Sequence, residues 1–232
     1  MLQATFGPDP QESDQFGMCV AASRTSTIVG APLEDTDEDG MNFMQNAGAA
    51  YVMKKNEKGG WEMEQKLIPS DRAPGDNFGG AVDLRGDYAI IGAANKTYHI
   101  PEKENDSLVF AGAVYVFHRD ESGKWSEEQK LMSYSPSAYG QFGYSLSLGR
   151  NYAVVGSPGE SYDANGENFI SGAGAAYAFE RVADTVEAKH TTVNEKGDVL
   201  PGWYILNQII TAYDRKENDL LGFSTYLHRK NL

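Results

Sequence analysis

The stretch DNFGGAVDLRGDYAIIGAAN, Asp76 to Asn95, contains Arg85-Gly86-Asp87, a tripeptide that many secreted proteins use to hold cell-surface receptors. It is either an adhesion signal or the turn of a hairpin. The choice depends on the rest of the chain, because the same stretch occurs three times.

Phe-Gly occurs at Phe16-Gly17, Phe78-Gly79 and Phe142-Gly143, spaced 62 and 64 residues apart. Three further markers keep the same order. Val29-Gly30-Ala31-Pro32 returns as Ile91-Gly92-Ala93-Ala94 and Val155-Gly156-Ser157-Pro158. Gly48-Ala49-Ala50-Tyr51 returns at Gly112 and Gly174. Trp61 followed by Gln65-Lys66-Leu67 returns as Trp125 followed by Gln129-Lys130-Leu131. Internal repetition on this scale decides architecture before any local propensity does.

Each unit reads as four short strands. In FGMCVAAS, small Gly17, Cys19 and Ala21 alternate with large Phe16, Met18 and Val20, the period of two expected of a strand. TIVGAP is a nearly continuous apolar run, as for a strand buried on both faces. GAAYVM and WEMEQKLI complete the unit, with glycines and polar clusters between them. A sheet of this kind cannot bury both faces alone, so successive sheets must stack. The expected fold is all-β, made of β-propeller blades: three complete four-stranded antiparallel sheets at about 16–68, 78–131 and 142–210. Residues 1–6 and 220–232 read as partial-blade strands at the two ends. Propellers close with roughly 4–8 blades, so the 232 residues are read as a single segment of an open or partial propeller.

Phe-Gly, then Val-Gly-Ala-Pro, then Gly-Ala-x-Tyr, over nearly the whole chain, resembles the FG-GAP repeat of integrin α-subunit propellers and of many bacterial extracellular proteins. The tryptophan and Gln-Lys-Leu on the last strand look most like the bacterial branch. The resemblance implies a propeller, an extracellular or cell-surface setting, and non-catalytic binding or adhesion.

Composition narrows the partners. With 33 acidic and 20 basic residues the net charge is −13. A polyanion repels nucleic acid and anionic membrane surfaces, so cations or basic partners are the easier ligands. No apolar run reaches the length of a membrane span. The opening MLQATFGPDP lacks the features of a signal peptide, so an export signal lies outside this stretch or the protein is intracellular. Cys19, the single cysteine, excludes an intrachain disulfide and a thiolate zinc site and reads as a packing thiol.

The tripeptide has counterparts near Arg24 and at Leu148–Asn151, all between first and second strands with room only for a tight reversal. Glycine and Asp or Asn supply positive φ and local hydrogen bonds there, so turn chemistry accounts for it.

The acidic loops between second and third strands carry the candidate metal ligands Asp35, Asp37, Asp39, Asp163 and Asn165. Aligned on the next strand, Asp37 matches Asp163, Asp39 matches Asn165, Gly40 matches Gly166, and Phe43 matches Phe169. Alternating oxygen donors before a glycine turn can converge on Ca²⁺. Compared with the integrin-type calcium loop, the rhythm falls one loop later, and phenylalanine stands where the last acid is expected. The second unit lacks the rhythm. Two readings stand: a Ca²⁺ site, or a solvated acidic turn pinned by Phe43 and Phe169.

The four histidines form no spaced pair and no nucleophile motif appears, so no catalytic residue is assigned. In the third unit, Phe179 to Trp203 spans 24 residues against 8 in the others; Glu180–Gly202 is read as a polar insertion, either a surface excursion or a partner-binding loop. The expected function is a non-enzymatic surface module that recognises a protein or glycan through rim loops. A polysaccharide hydrolase with acidic funnel residues and a structural spacer are the alternatives. Self-association is expected through pairing of Leu220–Leu227 with Met1–Phe6 of a second copy.

Overall fold

A computed structural model describes residues 13–100, 106–181, 192–193, 199–200 and 204–227. Among them there is no helix. The first sheet contains β1 (Val20–Ala22), β2 (Ser26–Ala31), β3 (Ala49–Lys55) and β4 (Trp61–Leu67) in that order. The second begins with β5 (Ala81–Arg85) and β6 (Tyr88–Ala93). A small hairpin of β7 (Tyr98–His99) and β8 (Ser107–Leu108) interrupts it before β9 (Ala113–Arg119) and β10 (Trp125–Leu131). The third joins β11 (Ser145–Leu148), β12 (Tyr152–Ser157), β13 (Ala175–Arg181) and, after the β14 (Thr192–Val193) and β15 (Val199–Leu200) hairpin, β16 (Tyr204–Ile210). Within each four-stranded sheet the strands pair antiparallel in chain order, as in propeller blades, and the three sheets do not close a ring.

The period-two patterning places the core between sheets. In the second sheet Ala89, Ile91, Tyr115 and Phe117 face the first blade, whereas Ile90, Val114 and Val116 face the third. The middle blade is therefore buried on both sides. The outermost strand of each blade carries a β-bulge at one repeated place. The pairing skips Glu64 in β4, Glu128 in β10 and Asn207 in β16.

Two expectations need correction. Phe-Gly is not part of the first strand; β1 spans only Val20–Ala22, and the dipeptide precedes it as a turn. Gly17, Gly79 and Gly143 take φ of 93°, 92° and 92°, conformations closed to a regular strand. Each glycine N–H donates to the second strand of its own blade, Gly79 to Gly92 O at 2.9 Å and Gly143 to Gly156 O at 3.0 Å. The Phe N–H donates to the preceding blade instead, Phe78 to Ala47 O and Phe142 to Ala111 O, both at 3.0 Å. The dipeptide is thus a staple between blades.

Leu220–Leu227 forms no strand. Leu221-Gly222 repeats the staple, with Leu221 N–H donating to Ala173 O at 3.2 Å. Beyond it the first-strand position has no second strand to pair with among the described residues, and that is its only partner in the other blades. Residues 1–6, the other half of the expected pairing with a second copy, and residues 228–232 lie outside the described residues.

The staple works because the opposing backbones touch. A Cβ on Gly30 would overlap Gly79 O, one on Gly92 would overlap Gly143 O, and one on Gly156 would overlap Gly222 O. The same carbonyls take side-chain hydrogen bonds from the preceding blade. Cys19 Sγ donates to Gly79 O at 3.1 Å, and its counterpart Ser145 Oγ donates to Gly222 O at 2.8 Å. Burial pushes the Cys19 thiol up to about 11, so it stays protonated as the donor this contact needs. Substituting Gly92→Ala should destabilise the chain by about 1–3 kcal/mol in urea unfolding, since a methyl must displace backbone. Cys19→Ser should stay within about 1 kcal/mol, because the hydroxyl keeps the hydrogen bond.

Candidate functional site

The second-to-third-strand loops and the linkers that leave each fourth strand lie at one end of the blades. Their geometry starts from the bulged strands. Gln65, just after the first bulge, reaches the next blade with both ends of its amide: Nε2 donates to Trp125 O and Oε1 accepts from Trp125 N–H, each at 2.9 Å. Gln129 does the same to Tyr204, again at 2.9 Å twice. Tyr204, not Trp203, is therefore the counterpart of Trp125, and the inserted loop runs between Arg181 and Tyr204. Apart from the β14–β15 backbone, that loop lies outside the described residues. Glu64, looped out at the bulge, accepts from Arg119 Nη2 at 2.8 Å and from Trp125 Nε1 at 3.3 Å.

Beneath each loop sits a buried charged residue at one repeat position: Glu34, Lys96 and Glu160. Each blade neutralises it differently. Glu34 lies 3.1 Å from Lys66 Nζ and accepts from Tyr51 Oη at 2.6 Å and from Thr36. Burial raises its carboxyl, but these hydrogen bonds outweigh burial and hold it below the usual carboxylate range. In the second blade the sign is inverted. Lys96 pairs with Asp76 at 2.7 Å and with Asp71 at 3.5 Å, and Tyr115 Oη turns to Asp71 at 2.6 Å. In the third, Ile209 stands where Lys66 stands in the first. Glu160 relies on neutral donors: Tyr177 Oη at 3.0 Å, the Ser137 hydroxyl and the Ser161 and Tyr162 amides. The tyrosine of each Gly-Ala-x-Tyr thus binds a carboxylate in every blade.

Above these groups each acidic loop is closed by one of its own aspartates, Asp37 or Asp163. Asp37 Oδ1 accepts from the Asp39 and Met41 amides at 3.1 and 2.8 Å, and Oδ2 accepts from Asn42 Nδ2. Asp163 repeats this with Asn165, Glu167 and Asn168 at 2.9, 3.0 and 2.6 Å. Asn42 and Asn168 adopt φ of 45° and 48°, which asparagine tolerates better than other non-glycine residues. The Met41 amide is the main cause holding the Asp37 carboxyl below the ordinary range, and the Asn168 amide that of Asp163.

A cationic side chain from the following linker then grips each loop. Arg72 donates to Asp35 O and Asn42 O, both at 3.0 Å. Arg215 donates to Ser161 O at 2.8 Å and Asn168 O at 3.0 Å, the equivalent carbonyls. Of the residues expected to hold calcium, Asp37 and Asp163 direct both oxygens into their own loops. Asp35 Oδ1 accepts from the Asn46 amide at 2.6 Å. Asp39 and Asn165 contribute their amides to the turns. Among the described residues no three His, Cys, Asp or Glu side chains are placed to hold a metal ion. The donor set does not fit calcium, because the inward carbonyls already serve a guanidinium. Phe43 and Phe169 are 70% and 63% exposed, and Phe169 meets Tyr162 of its own loop edge-on at 5.4 Å. The arginine clamp had a sequence signal: Arg72 and Arg215 stand seven residues before the staple glycines Gly79 and Gly222, and the unit without the acidic rhythm has Pro136 there.

The FG-GAP repeat family model matches residues 6–53, 61–117 and 125–179, well over half the chain. The chain belongs to the FG-GAP repeat family. No curated protein matches it. The matched FG-GAP segments are offset from the blades: 61–117 and 125–179 each begin with the fourth strand of one blade and end with the third strand of the next. This offset spans the Gln65–Trp125 bridge and the Phe-Gly staple, the contacts that join blades. FG-GAP repeats typically occur in extracellular or surface proteins. Among the described residues no helix is long and apolar enough to cross a membrane.

Arg85-Gly86-Asp87 lies at the opposite end of the FG-GAP blades. Arg85 pairs with Tyr88, leaving Gly86 and Asp87 as a two-residue reversal, with Gly86 at φ 60°.

Two experiments test the clamp and the buried pair. Arg72→Gln should speed amide exchange across residues 37–46 by roughly tenfold or more, as two charge-assisted bonds are lost. In the unsubstituted protein that protection should persist as pH falls to about 4, near the ordinary aspartate value. It should fade only as pH passes below it through the depressed Asp37 value. Lys66→Met should cost about 3–5 kcal/mol by stranding the Glu34 carboxylate, and adding Glu34→Gln should recover most of that loss.

Proposed function

We propose that this chain is a non-enzymatic binding module that holds a protein or glycan partner on the rim formed by its second-to-third-strand loops and interblade linkers. The observation that carries this reading is a set of exposed aromatic side chains on clamped backbone. Phe43 and Phe169 project from the two Arg-gripped loops, and Tyr134, Tyr139 and Tyr213 project from the linkers beside them, with Tyr213 fully exposed. Tyr139 contacts Phe110 of the second-blade loop at 5.5 Å, so loops and linkers share one surface. Large apolar groups held at the surface on ordered backbone suit a binding face. Aromatic rings also supply contact area at little conformational cost when their backbone is already ordered. A surface of this kind suits sugar rings or an aromatic-seeking protein face. An extracellular or cell-surface setting is consistent with where FG-GAP repeats typically occur.

The test compares the chain with a Phe43→Ala, Phe169→Ala, Tyr213→Ala variant on a glycan array and on intact bacterial and animal cells. The unsubstituted chain should bind a defined subset. The variant should lose that binding by at least about tenfold, as expected when aromatic hot spots are removed, with its melting temperature unchanged. Retained binding by the folded variant would refute the rim assignment. Cleavage of a bound glycan would favour the hydrolase alternative.

A further inference from the structure

At the other end of the blades, the first-to-second-strand turns of the second and third blades enclose a cleft of about 240 Å³. Three arginines line it: Arg85 and Arg150 from the two turns, and Arg181 from the end of β13. The chain carries 33 acidic residues against 20 basic ones, so a cationic side chain meets carboxylates readily. Among the described residues, none of these three arginines forms an ion pair. Elsewhere Lys66, Lys96, Lys130 and Arg119 all do.

The cleft is held in shape by backbone. Asp83 Oδ2 on β5 accepts from the Leu148 amide at 2.7 Å, fixing the third-blade turn against the second blade. Gly149 N–H closes that turn on Tyr152 O at 2.7 Å, and Arg181 N–H donates to Asn151 O at 2.6 Å. The Arg181 guanidinium carbon lies over the Tyr88 ring, 3.9 Å from its centre, and His118 stacks on the same tyrosine at 4.5 Å. The guanidinium is thereby positioned without a counter-ion. Two carboxylates are near. Asp87 lines the cleft, and Glu128 is held 3.2 Å from His118 Nδ1.

We propose that this cleft binds an oxyanion, a sulfate or carboxylate group carried by an acidic saccharide. Three like charges around one small volume repel each other, and an anion among them removes that cost. Guanidinium groups match planar or tetrahedral oxyanions through paired N–H donors. Neutral sugars have less to hold, because the Tyr88 ring is covered by Arg181 and His118, and Tyr204 is buried. The site is separate from the aromatic rim and depends on none of its residues.

The test is a nuclear magnetic resonance titration at constant ionic strength with sodium sulfate, trigalacturonate and, as neutral control, maltotriose. Sulfate or trigalacturonate should give saturable shifts at the Gly86, Asp87, Gly149 and Arg150 amides, and the tighter of the two identifies the preferred group. Arg85→Gln with Arg150→Gln should weaken that binding roughly tenfold or more, with unfolding unchanged because neither side chain is buried. Arg181→Lys keeps the charge but loses the planar fork and should weaken binding less than the double substitution. Shifts that track chloride, equal response to maltotriose, or undiminished binding by the folded double variant would overturn the assignment.

Discussion

Adjacent blades approach closely enough for glycine backbone to rest on glycine backbone. The carbonyls of Gly79, Gly143 and Gly222 lie where a Cβ of the preceding blade's second-strand glycine would be. No side chain fits, so the sheets are locked at a separation that the remaining contacts assume. The buried Phe78 and Phe142 fill the space beside this contact and meet Tyr115 and Tyr177 edge-on at 5.5 and 5.0 Å. The Gln65 and Gln129 bridges reach the next blade only because a bulge re-aims the outer strand. A propeller blade of this type is therefore stabilised chiefly by its neighbour, as a stacked repeat requires.

With the blades locked, one end becomes a place where buried charge is managed three ways. The first blade uses an ion pair, the second inverts the sign, and the third replaces the cation with hydroxyls and amides. All three satisfy a buried charge by hydrogen bonding, which is the condition for tolerating it. The tyrosine is the constant element, because its hydroxyl can donate to whichever carboxylate the blade supplies. This arrangement carries the acidic loops, and the arginine clamps complete them. The clamp does electrostatically what a bound cation does in other loops: it gathers backbone carbonyls around a positive centre.

The consequence is a chain with two unlike ends. One presents aromatic groups on ordered loops. The other presents tight two-residue turns with guanidinium groups between them that, among the described residues, form no ion pair. A tight turn that displays Arg85 beside Arg150 is at once a structural reversal and a charged wall, so the question raised by Arg85-Gly86-Asp87 concerns its neighbours as much as the tripeptide itself.

The number, order and strand content of the blades were legible in the sequence because glycine and apolar periodicity act locally. Gly30, Gly92 and Gly156 recur at one spacing and so made the repeat legible, although it is a carbonyl of the following unit that excludes a Cβ there. The acidic loops were legible as turns for the same reason: Asp37 and Asp163 bond amides within five residues. What the chain's order did not reveal was which groups meet across blades. That Arg72 grips the Asp35 and Asn42 carbonyls, that Glu34 lies beneath its loop on Lys66, and that Arg85, Arg150 and Arg181 share one cleft are relations between residues 30 to almost 100 positions apart. Long-range electrostatic contacts depend on distances in space, and only the stacking of the sheets sets those distances.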